Sequence, residues 1–222
     1  VNEGTDWDYL LPLLGEALGD TAYMVGIALA VAAVVGLALG IGLFVTRRGG
    51  LRGNRVVFTT ENALINLVRP IPFVIFVTAI APVTIALGGS RIGREAAILP
   101  MAVMASVAFA RLVEQTLVAL DPGVVEAARA MGASRWRIVW SVLVPEALGP
   151  LILAFTFLVV AVIDMSAVVG IVGAGGLGDF AIRHGYQRFN WEVAWVTVGL
   201  IVVLVQVVQL LGNVLARKAL RR

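Results

Sequence analysis

Apolar residues fall into five long runs, at about 21–45, 63–87, 95–118, 147–172 and 192–215, with shorter polar stretches between them. Each run reaches the roughly 20 residues a helix needs to cross a bilayer, so the pattern predicts five transmembrane helices. Pro70, Pro72, Pro82 and Pro100 lie within the second and third runs. In lipid a proline is tolerated where neighbouring helices or polar groups take up the freed carbonyl, so bent, packed helices are expected there. Gly36 and Gly40 form a small-xxx-small pair in the first run, accompanied by Gly26 and Gly42. Such a ridge lets a second helix approach closely, although glycine is also common in membrane helices generally.

Composition closes off most other classes. Of 222 residues, 60% are hydrophobic and 14% charged, against roughly 45–50% and 25% in soluble domains. Cysteine is absent and His184 is the sole histidine, which removes disulfide scaffolds, thiol nucleophiles and Cys/His metal sites together. No catalytic and no metal-binding set is expected. The net charge of +3 is distributed unevenly. Arg47, Arg48, Arg52, Arg55, Arg129, Arg135, Arg137, Arg217, Lys218, Arg221 and Arg222 fall on one side of the five runs. Arg91, Arg94, Arg183 and Arg188 fall on the other. The excess marks the cytoplasmic side and predicts an outside N-terminus and a cytoplasmic C-terminus. The first twenty residues hold Glu3, Asp6, Asp8, Glu16 and Asp20 but no Lys or Arg, so no cleavable leader is expected. The organisation that follows is an outside segment at 1–20, one membrane domain at 21–216 and a basic cytoplasmic tail at 217–222.

Residues 119–146 break the apolar pattern. Asp121-Pro122 reads as an N-cap followed by proline at the first helical position. Val124, Ala127, Ala128 and Met131 then recur at helical spacing, and Gly132 is placed to end the helix in a left-handed conformation. Ser134 is placed to cap a second short helix through Trp136 and Trp140, which Pro145 is expected to stop. The residues leave two readings of this cytoplasmic knob open: an amphipathic linker on the membrane surface, or a docking element for a soluble partner. Three arginines set against Asp121, Glu126 and Glu146 make a poor phosphate-binding surface, so nucleic acid is not expected.

Glu126-Ala127-Ala128, then Gly132, then Val142-Leu143-Val144-Pro145 resembles the EAA motif of ABC importer permeases, EAA-x3-G-x9-I-x-L-P, with valines at the usual Ile and Leu. Asn66-Leu67-Val68-Arg69-Pro70-Ile71-Pro72-Phe73, Ala110-Arg111-Leu112-Val113-Glu114 and the run Gly173-Ala174-Gly175-Gly176-Leu177-Gly178-Asp179 are similar to the methionine importer permeases of that family. So is Ile182-Arg183-His184-Gly185-Tyr186-Gln187-Arg188-Phe189. The resemblance covers about residues 20–220. It implies an all-α integral membrane protein with five transmembrane helices and the type I importer permease fold. The implied function is a permease subunit in a prokaryotic cytoplasmic membrane that moves D- or L-methionine by alternating access. The implied assembly is a homodimer of permeases with two ABC ATPases and an extracytoplasmic solute-binding lipoprotein. Glu126, Ala127, Ala128, Gly132 and Pro145 take the ATPase-coupling role by this resemblance. The GxxxxGK[ST] phosphate loop is missing. The subunit is therefore expected to be no enzyme and to hold no cofactor, with ATP and Mg on the partner ATPase.

Several residues need separate weighing. Gly173, Gly175 and Gly178 spell GxGxxG, but a dinucleotide site needs a preceding strand, and this pattern follows an apolar run. A tight turn or re-entrant segment at the outer mouth fits better, and the resemblance gives Gly173, Gly175, Gly176 and Gly178 a gating and binding-protein-contact role. Asp164 lies about 25 Å along the fourth run, at 1.5 Å per residue, and a carboxylate inside a span is a functional hypothesis by default. A solute-pathway role shared with Met165 and Ser166 stands beside a structural pairing with Arg69, Arg111 or a polar backbone site, and beside simple exposure at the outer rim. Ile163-Asp164-Met165-Ser166-Ala167 replaces the uncharged Gly-Tyr-Ser-Ala-like stretch of methionine permeases. A different small polar solute is accordingly the alternative substrate, and a passive channel the alternative class. Arg111 and Glu114 are spaced for an intrahelical pair. Gln206 and Gln209 suit hydrogen bonds across a helix interface.

Overall fold

The computed structural model describes residues 5–90 and 92–220. Glu3, Arg91, Arg221 and Arg222 lie outside the described residues. Among the described residues the regular structure is helical, and four helices are long and apolar enough to cross a membrane. They are α1 (Trp7–Thr46), α4 (Arg94–Val118), α8 (Leu148–Ile171) and α10 (Trp191–Leu220). α1 is already helical before residue 21, and its 40 residues extend about 60 Å. That is about twice the hydrocarbon thickness, so its early turns, rich in carboxylates, continue beyond a single crossing.

The second apolar run does not form one straight span. It divides into α2 (Arg55–Val68) and α3 (Phe73–Ala86), bent by 111°. Pro70 and Pro72 supply the cause: neither offers an N–H to carry the helical ladder onward, and Pro72 enters α3 with an extended ψ of 131°. Each 14-residue piece reaches only about 21 Å. A fifth crossing therefore requires both pieces together. Pro12, Pro82 and Pro100, by contrast, are accommodated inside α1, α3 and α4.

Two compact units are present, and the four long helices contribute a part to each. One comprises residues 1–30, 71–105 and 159–208; the other comprises 31–70, 106–158 and 209–222. In the first, Leu10 and Ala17 of α1 bury against Leu177, Phe180 and Val193. Exposed aromatic rings cluster in this unit at Tyr9, Tyr186, Phe189, Trp191 and Trp195, residue types that favour the membrane–water interface. Phe189 holds a left-handed backbone at φ 53° in the turn that leads into α10.

In the second unit, Leu43, Ile65 and Ala110 form a core cluster with Leu39, Phe58 and Val107. The glycine ridge of α1 is a true crossing point here. A Cβ on Gly40 would lie 2.5 Å from the Val113 Cβ, and one on Gly36 would lie 2.8 Å from the Ser106 carbonyl oxygen. Gly26 has no neighbour within 4 Å, so in that position glycine serves no close approach. Among the described residues, the side chains of Gln206 and Gln209, which lie within α10, form no hydrogen bond.

Candidate functional site

The knob is built by local rules. Asp121 caps α5 (Pro122–Ala130) by accepting a 2.8 Å hydrogen bond from the Gly123 amide. At the other end Ala133 donates to the Ala128 carbonyl at 3.1 Å and Gly132 donates to Arg129 at 2.9 Å. This is the double closure of a Schellman turn, and it places Gly132 at φ 76°, the left-handed region that a side chain disfavours. Ser134 then caps α6 (Arg135–Ile138) by accepting from the Arg137 amide.

Pro145 does not stop the second helix. A π-helical turn at Val139–Leu143 leads into α7 (Val144–Glu146), and Ala147 and Leu151 continue the backbone ladder into α8. The π turn absorbs the missing proline donor: the Val144 amide bonds back to Val139, five residues away. The apolar face of α5 also differs from its spacing. Ala128 is buried and Val124 half-buried, whereas Ala127 is exposed and Met131 is 80% exposed. Ala127, Ala130 and Met131 consequently form an outward face of small residues with a flexible thioether, with Glu126 at its edge. Behind it, a groove of about 130 Å³ runs between the knob and the α1–α2 loop, lined in part by Arg47, Leu51, Glu126 and Arg129.

α2 and α4 are joined by a polar network in the same unit. Arg111 pairs with Glu114, three residues on, and donates at 2.8 Å to the side-chain oxygens of both Asn62 and Asn66. Those asparagines are four apart in α2, so their amides stack along one face. The signal was present in the sequence, but only the fold shows that it faces Arg111. Glu61 Oε2 and Arg111 Nε are buried beside this network without hydrogen-bond partners. Arg111 is thus committed within its own unit.

In the other unit, α8 ends at Ile171 and the chain turns through Gly173, Gly175 and Gly176, all at φ above 80°. It then enters α9 (Gly176–Phe180) and a π-helical segment at Ala181–Tyr186. No strand precedes these glycines, which rules out the dinucleotide reading. Gly176 and Gly178 are buried as contact points: Gly176 meets Thr21 and Met24, and Gly178 meets Ala167. The buried Thr21 hydroxyl accepts a 2.9 Å hydrogen bond from the Leu177 amide, while Asp20 pairs with Arg94 at 2.9 Å. Sequence reasoning missed this hook of α1 onto the turn. Its signal is the polar pair Asp20-Thr21 in front of an otherwise apolar stretch. Gly173 closes the other side of the turn, accepting from the Gly93 amide at 3.0 Å.

Asp164, Met165 and Ser166 are not brought together. Asp164 is exposed, on a stripe of α8 that also bears Phe157 and Ile171, 68% and 62% exposed. No described residue forms an ion pair with it, so the pairing with Arg69 or Arg111 does not occur. Ser166 points elsewhere: it is 2% exposed and donates to the Ile163 carbonyl at 2.6 Å. A separate cavity of about 210 Å³ in this unit is lined by Val77, Thr78, Thr84, Ser90, Ala97 and Val169 among others. Its three hydroxyls already donate to backbone carbonyls, which leaves a largely apolar space.

An all-helical, multi-pass membrane protein with glycine-rich turns and a capped knob between two of its spans has the architecture of a transport permease. Residues 36–221 match the family described as the binding-protein-dependent transport system inner membrane component. The chain belongs to this family. It is 41% identical over 206 residues to the "Probable D-methionine transport system permease protein MetI" of Vibrio cholerae, covering 93% of this chain and 92% of that one. It is 37% identical over 173 residues to the "Methionine import system permease protein MetP" of Bacillus subtilis, covering 78% of each. A structure titled "Inward facing conformations of the MetNI methionine ABC transporter: CY5 SeMet soak crystal form" superposes with a TM-score of 0.91. That match has 36% identity and covers 99% of both chains.

Proposed function

We propose that this chain is the permease subunit of an ATP-driven methionine importer, taking D- or L-methionine. Two copies would enclose the pathway, with two ABC ATPases inside the cell and a solute-binding lipoprotein outside. The observation that carries the coupling role is the knob, a rigid unit capped by Asp121, closed at Gly132 and continuous with α8 through the π turn at Pro145. Motion imposed on its outward face by an ATPase therefore passes directly into a spanning helix. The names of the relatives, at up to 41% identity over nearly the full chain, support methionine as the solute.

In this reading ATP and Mg sit on the partner, the N-terminus is outside and the C-terminus cytoplasmic. ATP-driven closure draws two knobs together and turns the permease outward; hydrolysis returns it inward. Solute favours transport only through unequal affinity for the two states. Glu126, Ala127, Ala128, Gly132 and Pro145 are the coupling residues. The Gly173–Gly178 turn serves as the outer gate, with half-buried Gly173 and Gly175 on its accessible side. Asp164 faces the pathway, since a carboxylate turned to lipid in mid-helix is strongly disfavoured. That carboxylate also favours a second reading, a small polar solute other than methionine.

The test is reconstitution with the cognate ATPase and binding protein in liposomes, with uptake of labelled L- and D-methionine followed against a panel of amino acids. ATP-dependent methionine uptake is the expected result. Uptake without nucleotide would remove the coupled mechanism, and selective uptake of another solute would replace methionine.

A further inference from the structure

We propose that the loop between α1 and α2 holds the phosphate of an anionic glycerophospholipid, with its acyl chains lying along α2. A cavity of about 630 Å³ opens here, lined by Thr46, Arg47, Arg48, Arg55, Phe58 and Thr59 with Gly49, Gly53 and Asn54. Every charged side chain in that lining is a guanidinium. Among the described residues no carboxylate forms an ion pair with Arg47, Arg48 or Arg55. Arg47 is held in place by the Phe44 ring, 4.3 Å from its centroid. The first free amides of α2, those of Val56 and Val57, are already taken by the Asn54 side chain. The Thr46 hydroxyl already donates to the Gly42 carbonyl at 2.7 Å, so the cavity offers an anion its three guanidinium groups and the Thr59 hydroxyl, a donor set suited to phosphate oxygens.

The second observation starts at the same place and points to a lipid. Val56, Leu64 and Leu67 of α2 are 75%, 60% and 69% exposed. At 100° per residue they fall within about 80° of one another around the helix, forming one apolar stripe that begins beside the cavity. A free phosphate would use the guanidinium groups and leave the stripe bare. A lipid uses both, because basic pockets at the ends of spanning helices suit anionic headgroups and the stripe suits acyl chains. This inference rests on the membrane reading of the chain and not on methionine as its solute.

The experiment is native mass spectrometry of the permease–ATPase complex released from nanodiscs of mixed phosphatidylglycerol and phosphatidylcholine. Wild type is expected to retain phosphatidylglycerol preferentially. R47Q/R48Q/R55Q is expected to lose that preference by about a hundredfold, three cationic contacts of about fivefold each multiplying together. R217Q/K218Q, which removes charge from the tail, is expected to retain it. The single variant R55Q, expected to lose about fivefold, carries the test if the triple variant does not insert. Equal retention by wild type and the cavity variants overturns the proposal. So does displacement of the lipid by equimolar glycerol 3-phosphate, which would make the stripe irrelevant, or cross-linking of Arg48 to the ATPase in place of lipid.

Discussion

Gly178 and Ala167 meet backbone to backbone: a Cβ on Gly178 would stand 2.3 Å from the Ala167 carbonyl oxygen and 2.5 Å from its Cα. Gly170 makes the reciprocal approach, its own Cβ position lying 2.4 Å from the Asp179 amide nitrogen. α9 can lie against α8 only because both helices lack side chains at the crossing. Backbone cannot move aside as a flexible side chain can, so Gly178→Ala should cost about 1–3 kcal/mol as overpacking. Thermal unfolding in detergent should show a lowered midpoint. A midpoint equal to wild type would mean that the crossing is looser than this geometry.

Gly132 presents the opposite case. Nothing lies within 4 Å of its Cβ position, but its φ is 76°. Gly132→Ala therefore carries only the left-handed penalty, about 1–2 kcal/mol, concentrated in the knob. Membrane insertion should match wild type, while ATPase co-purification and methionine-dependent ATP hydrolysis fall several-fold. Gly132→Asn, which tolerates this conformation better, should recover part of the loss. Equal coupling in all three proteins would argue against the Schellman turn as the rigid element.

Removing Arg111 should be far more disruptive than removing an exposed arginine. Its loss strands Glu114, whose side chain is 12% exposed, together with two asparagine acceptors. Breaking a buried pair from one side typically costs about 3–5 kcal/mol. Arg111→Met with Glu114→Gln should restore much of the stability, because Glu114 is then no longer left as a stranded charge. A thermal-shift comparison of the single and double variants decides this, and additive losses would contradict the pairing.

Asp164→Asn keeps the shape of the side chain and removes its charge. With the carboxylate exposed on α8, uptake should drop several-fold while ATPase association is unchanged. Ser166→Ala, at a buried and internally bonded hydroxyl, should alter uptake little. The reverse order of effects would move the solute path to another face of α8.

His184 lies between α8 and α10, outside the apolar runs, with its ring 5.0 Å from Phe180. Burial, and then the positive charge of Arg188, push its imidazole below the ordinary value of 6.5. The folded state thus binds its proton less readily than the unfolded chain. Its contribution to stability is present above about pH 6.5 and is lost as pH falls below that value. The thermal midpoint of wild type should decline across that window more steeply than that of His184→Gln. Parallel profiles would assign the pH dependence to other groups.

The membrane class, the approximate spans and the two ends of α5 could be read directly from the residues. Apolar periodicity, the Asp121-Pro122 cap and a glycine at position 132 act through nearest neighbours or helical spacing, and those forces are local. What the order of residues left open was long-range. Pro145 reads as a helix stop, yet a π turn passes the chain through it, because the following residues gain more by continuing as α8 than by breaking. Pro70 and Pro72 suggest a bend, but only packing fixes it at 111° and leaves two short helices in place of one. Asp164 and Ser166 are two positions apart in sequence, and one turns outward while the other is buried. Tertiary structure decides between such neighbours, since a side chain's surroundings depend on which distant helix crosses there. Glycines 36, 40, 170 and 178 show why: the same residue type marks a crossing only where another backbone arrives to fill the space.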